Sequence, residues 1–243
     1  MKFKLAQDIM LGRTVVHEGD IIEVIEDSTR TASGTYEHMM EWVEGAKLDP
    51  KKIREVDSES IDYFGNVNLK GSNITEIFFR VVTGDLNLSG CSSLDSLNWL
   101  HGVGGDLDIT GCNISRLGYL EYVNGVFAAD DAILQNLDDL RETGGIEFTN
   151  VIGLSSLGNL KEVNGDVILS YCALTSLGAL TTVKGDLYIE DCPLSGFGKL
   201  KHVGGNLEIV GDADETKLPT TEEEVREQVN VAGKVIFSFY PKG

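Results

Sequence analysis

Residues Gly84 to Gly104 read GDLNLSGCSSLDSLNWLHGVG, and the skeleton of that stretch returns along the chain. It comes back as GDLDITGCNISRLGYLEYVN from Gly105, as GDVILSYCALTSLGALTTVK from Gly165 and as GDLYIEDCPLSGFGKLKHVG from Gly185. Equivalent units begin at Gly65, Gly125 and Gly144, and a partial one at Gly205, so successive starts lie 19, 21, 20, 19, 21, 20 and 20 residues apart. A fixed period of this length marks a solenoid, in which each repeat is one winding of the chain stacked on the last.

The spacing inside each unit has a physical reading. Leu86 and Leu88 are two apart, as are Leu107 and Ile109, Val167 and Leu169, Leu187 and Ile189, and Leu207 and Ile209. That alternation predicts a short strand with one face inward. A small residue follows at the eighth position, then apolar residues three apart (Leu94, Leu97, Leu100, Val103), which suits a tight, near-3₁₀ return path. The next Gly-Asp turns the chain into the following strand, and glycine there is expected to supply a positive φ. One winding cannot stand alone. Seven inward side chains stabilise it by roughly 10–20 kcal/mol at most, whereas ordering some twenty residues costs about 20–40 kcal/mol of backbone entropy. Neighbouring windings must therefore pair their strands at about 4.8 Å spacing into a parallel sheet along one side.

The string from Leu177 through Val183, Gly185, Asp186, Leu187, Ile189, Cys192 and Leu194 resembles leucine-rich repeats, and more closely the receptor L-domain variety. The resemblance covers about residues 65–212. It implies a β-rich, right-handed coil of about 20 residues per turn, with small α+β caps at both ends. Receptor L domains are extracellular, disulfide-bearing and followed by cysteine-rich modules; this sequence has none of those features, so receptor signalling does not carry over. Seven full units and one partial unit make up residues 65–212. Residues 1–60 read as a small α+β segment, a cap or docking module: a hairpin over 2–26 turning at Gly19-Asp20, then a helix from Tyr36 to Glu44 with Tyr36, Met39, Met40 and Val43 on one face. A rival reading makes 1–60 an SH3-like domain with its own ligand. Residues 213–243 form the other cap, a helix opened by the capping box at Thr221–Glu224 and a strand from Lys234 to Tyr240.

Of 243 residues, 39 are Asp or Glu and 20 are Lys or Arg, a formal net charge of −19. Phosphate recognition needs cations to displace counterions, so nucleic-acid and anionic-membrane partners are disfavoured and a basic protein partner fits better. No stretch approaches the roughly 20 apolar residues of a membrane span, and the N-terminus lacks the unbroken apolar core of a signal peptide. The expected setting is cytoplasmic, or virion-associated for a phage protein.

All four cysteines (Cys91, Cys112, Cys172 and Cys192) occupy the eighth position of their units, a slot that Ser72, Ala132 and Val151 fill elsewhere. Small size and burial explain the slot, and free structural thiols are expected, with no zinc pattern in their spacing. Asp85, Asp106, Asp166 and Asp186 follow the repeat glycine and are expected to accept amide hydrogen bonds at the corner. His101 and His202 share a column but lie nearly five windings apart. No nucleophile, metal or phosphate motif appears, so no enzymatic activity, cofactor or metal is expected.

What remains is surface. The outward strand positions run Asn68, Asn87, Asp108, Ala128, Glu147, Ile168, Tyr188 and Glu208, with Glu190 and Val210 two residues beyond the last pair of those strands. Asp108, Glu147, Ile168, Tyr188, Glu190 and Glu208 are the expected contacts for a protein partner, because an aromatic anchor among carboxylates suits an interface with a basic protein. Two alternatives stand beside that reading: an acidic decoy that inhibits a nucleic-acid-binding protein, and a structural virion component whose activity is self-association. The unit GVFAADDAILQNLDDLRET departs from pattern at Ala128 and Ala129, where small side chains are expected to bend the sheet, admit a partner's group or represent drift.

Overall fold

The structure is a computed structural model that describes residues 34–56, 60–97 and 99–241, with four short N-terminal strands at 2–4, 9–11, 14–16 and 21–23. It is a β-solenoid of about seven turns, each about 20 residues long, with mostly parallel pairing and two α-helices. The repeat drives the stacking. In one inward file, Val67 pairs with Leu86, Leu86 with Leu107, Leu107 with Phe127, Phe127 with Ile146, Ile146 with Val167, Val167 with Leu187 and Leu187 with Leu207. These side chains are at most 2 % exposed. The final strand, Val235–Phe239, joins the same file opposite Leu207, so it is a further rung of the sheet.

A second parallel ladder runs through Val82, Val103, Val123, Thr143, Val163, Val183, Val203 and Val231. Sequence reading placed a sheet on one side only. The two-residue strands of this ladder carry a single inward side chain each, too little for alternation to register. Thr143 is the polar member of the file. It is 1 % exposed, and its hydroxyl donates to the Gly145 carbonyl at 2.8 Å, so the buried group is satisfied. Between the ladders the chain returns through single i→i−3 turns such as Leu94 N–H to Cys91 O and Leu100 N–H to Leu97 O.

The repeat glycines have a different cause from the one expected. Among the eight, only Gly65 has positive φ. At Gly84, Gly125 and Gly185 an added Cβ would lie 2.7 Å from the carbonyl carbon of the glycine one winding earlier. Close backbone approach, not a left-handed corner, excludes side chains there. The left-handed residues sit six positions later, where Gly71, Gly90, Gly111, Asp131, Asn150, Tyr171, Asp191 and Gly211 all have φ between 44° and 144°.

The aberrant unit leaves no opening. Ala129 and Phe148 are both fully buried, and Phe127 meets Phe148 edge to face at 5.2 Å, taking the volume that alanine gives up. At the N-terminal end, helix α1 (Gly34–Gly45) buries Met39 and Val43 in the solenoid's core cluster, and Trp42 packs edge-on against Phe78 and Phe79 at 5.4 and 5.3 Å. Before Val82 the second ladder has one more parallel rung, Ile61–Tyr63, with Tyr63 opposite Val82, and the antiparallel strand Ile53–Glu55 borders that rung. The earliest strands form nested antiparallel pairs, Lys2–Lys4 with Ile21–Glu23 around Ile9–Leu11 with Thr14–Val16, and the expected turn at Gly19-Asp20 and the side chain of Tyr36 lie outside the described residues. At the other end, helix α2 (Glu222–Gln228) starts from Thr221, whose hydroxyl accepts the Glu224 N–H at 3.4 Å.

Candidate functional site

Stacking in register brings the outward strand residues into one file. Asp108, Ala128, Glu147, Ile168, Tyr188, Glu208 and Ile236 lie on consecutive rungs, each the Cα partner of the next. At about 4.8 Å per rung, the span from Glu147 to Glu208 is roughly 14 Å. Glu147 is exposed and its backbone carbonyl accepts the Ala129 N–H at 3.0 Å, leaving the carboxylate turned to solvent, whereas Ile168, Tyr188 and Glu208 are half-buried by their neighbours. Asp108 is more occupied, since its Oδ1 accepts the Thr110 N–H at 2.9 Å. It lies two rungs from Glu147, across Ala128, at the fringe of the patch.

Glu190 is the junction. Its Oε1 accepts the Tyr171 hydroxyl at 2.8 Å and its Oε2 the Tyr188 hydroxyl at 3.2 Å. Next to it, the Tyr240 hydroxyl donates to Asp191 Oδ2 at 2.7 Å, and the Ser238 hydroxyl donates to Glu208 Oε1 at 2.9 Å. Tyr171 and Tyr240 are 49 % and 46 % exposed, so the face carries two open aromatic rings whose hydroxyls are fixed by carboxylates. Those bonds favour the neutral phenols. The hydrogen bond to Glu190 raises the Tyr171 pKa, the bond to Asp191 raises that of Tyr240, and burial followed by the Glu190 bond raises that of Tyr188.

Tyr171, Tyr240 and Asp191 were not among the expected contacts. Tyr171 and Asp191 occupy the left-handed corner slot that glycine fills in other windings, and Tyr240 reaches Asp191 from 49 residues away. Beside them a cavity of about 440 Å³ is lined by Asp191, Cys192, Asp212, Glu215, Leu218 and Tyr240 among others.

The aspartates after the repeat glycine form an inter-winding ladder. Asp85 Oδ1 accepts the Asp106 N–H at 3.0 Å, Asp106 the Val126 N–H at 2.7 Å, Asp166 the Asp186 N–H at 2.7 Å and Asp186 the Asn206 N–H at 2.6 Å. The four cysteines are free and buried. The Sγ of Cys91 donates to Leu69 O and that of Cys112 to Leu88 O, both at 3.0 Å, and Cys172 and Cys192 reach Phe148 O and Leu169 O in the same way. Burial pushes the Cys112 thiol up to about 11; the bond to Cys172, then burial, holds the Cys192 proton still more firmly. Among the described residues no group of three His, Cys, Asp or Glu side chains is arranged to hold a metal ion, and no helix is long and apolar enough to cross a membrane.

A second surface lies on the return path. Trp99 and Tyr119 stack at 5.5 Å with their planes 3° apart, and His101 stacks on Tyr119 at 5.6 Å. No protein-family model, curated protein or solved structure matches this chain.

Proposed function

We propose that the chain is a non-enzymatic protein-interaction module whose strand face, from Glu147 to Glu208, takes a basic segment of another protein. The solenoid on this reading is of the leucine-rich, receptor L-domain type, a reading supported by the L-x-x-V-x-G-D-L-x-I spacing and by the in-register files it generates. The observation that carries the proposal is Glu190 held between two tyrosine hydroxyls. Fixing the carboxylate and the rings before binding removes part of the ordering cost that an interface otherwise incurs. Aromatic faces beside carboxylates match Arg and Lys side chains, whose stems pack on rings while their charged ends meet acids.

The test is a panel of Lys/Arg-rich peptides titrated against the protein at several salt concentrations. The combined substitutions Glu147→Lys, Glu190→Lys and Glu208→Lys are expected to weaken the best peptide at least tenfold, about 1.4 kcal/mol. They should also flatten its salt dependence. The combined substitutions Asp95→Lys, Asp139→Lys and Glu227→Lys, at exposed positions off that face, make the same change in net charge and are the control for charge alone. Equal losses from the control and the triple variant would move the site elsewhere.

A further inference from the structure

We infer that the final strand, Val235–Phe239, is a pairing edge for a second copy of this chain, joined to it antiparallel about a two-fold axis at Phe237. The hydrogen-bond phase identifies the open edge. Leu207 N–H donates to Lys234 O at 2.8 Å and Tyr240 N–H to Gly211 O at 2.9 Å, so the even-numbered residues of the strand bond to the preceding rung. With a period of two, the N–H and C=O groups of Val235, Phe237 and Phe239 point the other way. Among the described residues no strand pairs with that side. Helix α2 covers the stretch just before this edge, where the Arg226 guanidinium donates to Val231 O at 2.7 Å and Gly233 O at 3.0 Å, and it also approaches the final strand itself.

Several observations select a second copy as the occupant. The three open residues form a palindrome of donors and acceptors. Antiparallel pairing sets Phe237 against its symmetry mate and Val235 against Phe239, which satisfies every open N–H and C=O from 235 to 239 in both chains. The segment VIFSF carries no charge, proline or glycine that would blunt an edge. Val235, Phe237 and Phe239 are half-buried, with the two phenylalanine rings stacked at 5.5 Å, so a partner strand would cover apolar surface already packed on one side. Head-to-tail growth is blocked at the opposite end of the ladder. There the edge strand is only Val67–Asn68, Lys70 follows it, and the Lys70 N–H is taken by the Asn68 side chain at 3.1 Å. Tail-to-tail pairing therefore closes as a dimer and does not propagate.

Analytical ultracentrifugation over a concentration series tests this on the full chain. The expected species has twice the 26.4 kDa of one chain, and because each copy carries −19, raising the salt should tighten it. Val235→Pro places a proline where the N–H faces outward, so it spares the bonds to Leu207–Gly211 and should yield monomer with an unchanged circular-dichroism spectrum. Should that variant fail to fold, cysteine trapping decides. Ile236 of one copy faces Ser238 of the other in the paired register, close enough to cross-link, while like positions lie too far apart. A mixture of Ile236→Cys and Ser238→Cys proteins should oxidise to a disulfide-linked species of doubled mass, and neither protein alone should do so. A wild-type protein that stays monomeric at all concentrations, a Val235→Pro protein that still dimerises, or a mixture that does not cross-link would each overturn the proposal.

Discussion

The hydroxyl of Tyr171 lies 2.8 Å from Glu190 Oε1, on the next winding, and the Tyr188 hydroxyl takes the other oxygen of the same carboxylate. One acid thus orders two aromatic rings that the sequence separates by 17 positions, and it does so only because the strands stack in register.

The tyrosines report on that arrangement during an alkaline titration. Tyr171, Tyr188 and Tyr240 have pKa values raised in the folded state, so each stabilises the fold below the ordinary phenol value of about 10 and loses that contribution as the pH rises through the higher folded value. Absorbance at 295 nm should show at least three of the seven tyrosines ionising late. Glu190→Gln should bring Tyr171 and Tyr188 earlier while leaving Tyr240 late, since Tyr240 bonds to Asp191. An unaltered titration curve in that variant would refute the pairing.

Contact at the repeat glycines predicts a sharp difference between sites. Gly125→Ala forces a Cβ to within 2.7 Å of the Gly105 carbonyl carbon and should destabilise by about 1–3 kcal/mol. Gly45→Ala meets nothing within 4 Å and should shift stability by no more than about 0.5 kcal/mol. Urea midpoints of the two variants make the comparison. A Gly125→Ala protein as stable as the parent would mean that the windings are packed less closely than described.

Asp62 carries a heavier electrostatic burden. It is 3 % exposed and holds two guanidinium groups, Arg80 through Nε at 3.0 Å and Nη2 at 2.9 Å, and Arg54 on the same Oδ2. The arginine side chains are 24 % and 33 % exposed, so water can reach them once the acid is gone, and Asp62→Ala should cost about 1.5–3 kcal/mol, the range of a hydrogen bond to a charged group. Exchanging the three together for Leu, Met and Met should recover part of the loss, because the buried acid then no longer needs a charged partner and the partly buried arginine stems are replaced by apolar packing. Thermal melts of the single and triple variants test both halves.

The inward file was legible because Leu86, Leu107 and Leu187 recur at a constant spacing with a partner two residues on, a pattern that only a stacked strand explains. The Val103 file was legible as an inward position of the return path but not as a strand, since a strand showing one inward residue leaves no alternation to detect. The glycine column was visible, but its reason was not: a sequence shows that a side chain is missing without showing whether torsion or contact excludes it. For the candidate face, Tyr188 and Glu190 could be placed from the repeat. Tyr171 could not, because it stands in a corner slot whose other occupants are mostly Gly, Asp and Asn, and its aim toward Glu190 depends on the left-handed backbone there.

The final rung also separates continuity in space from continuity along the chain. Val235 seats opposite Leu207 although they lie 28 positions apart, and the segment between carries a helix of its own. A winding therefore tolerates a long excursion after Gly211 and still returns to its place. That corner is a natural splice point, where foreign peptide can be inserted while the lattice on either side keeps its phase.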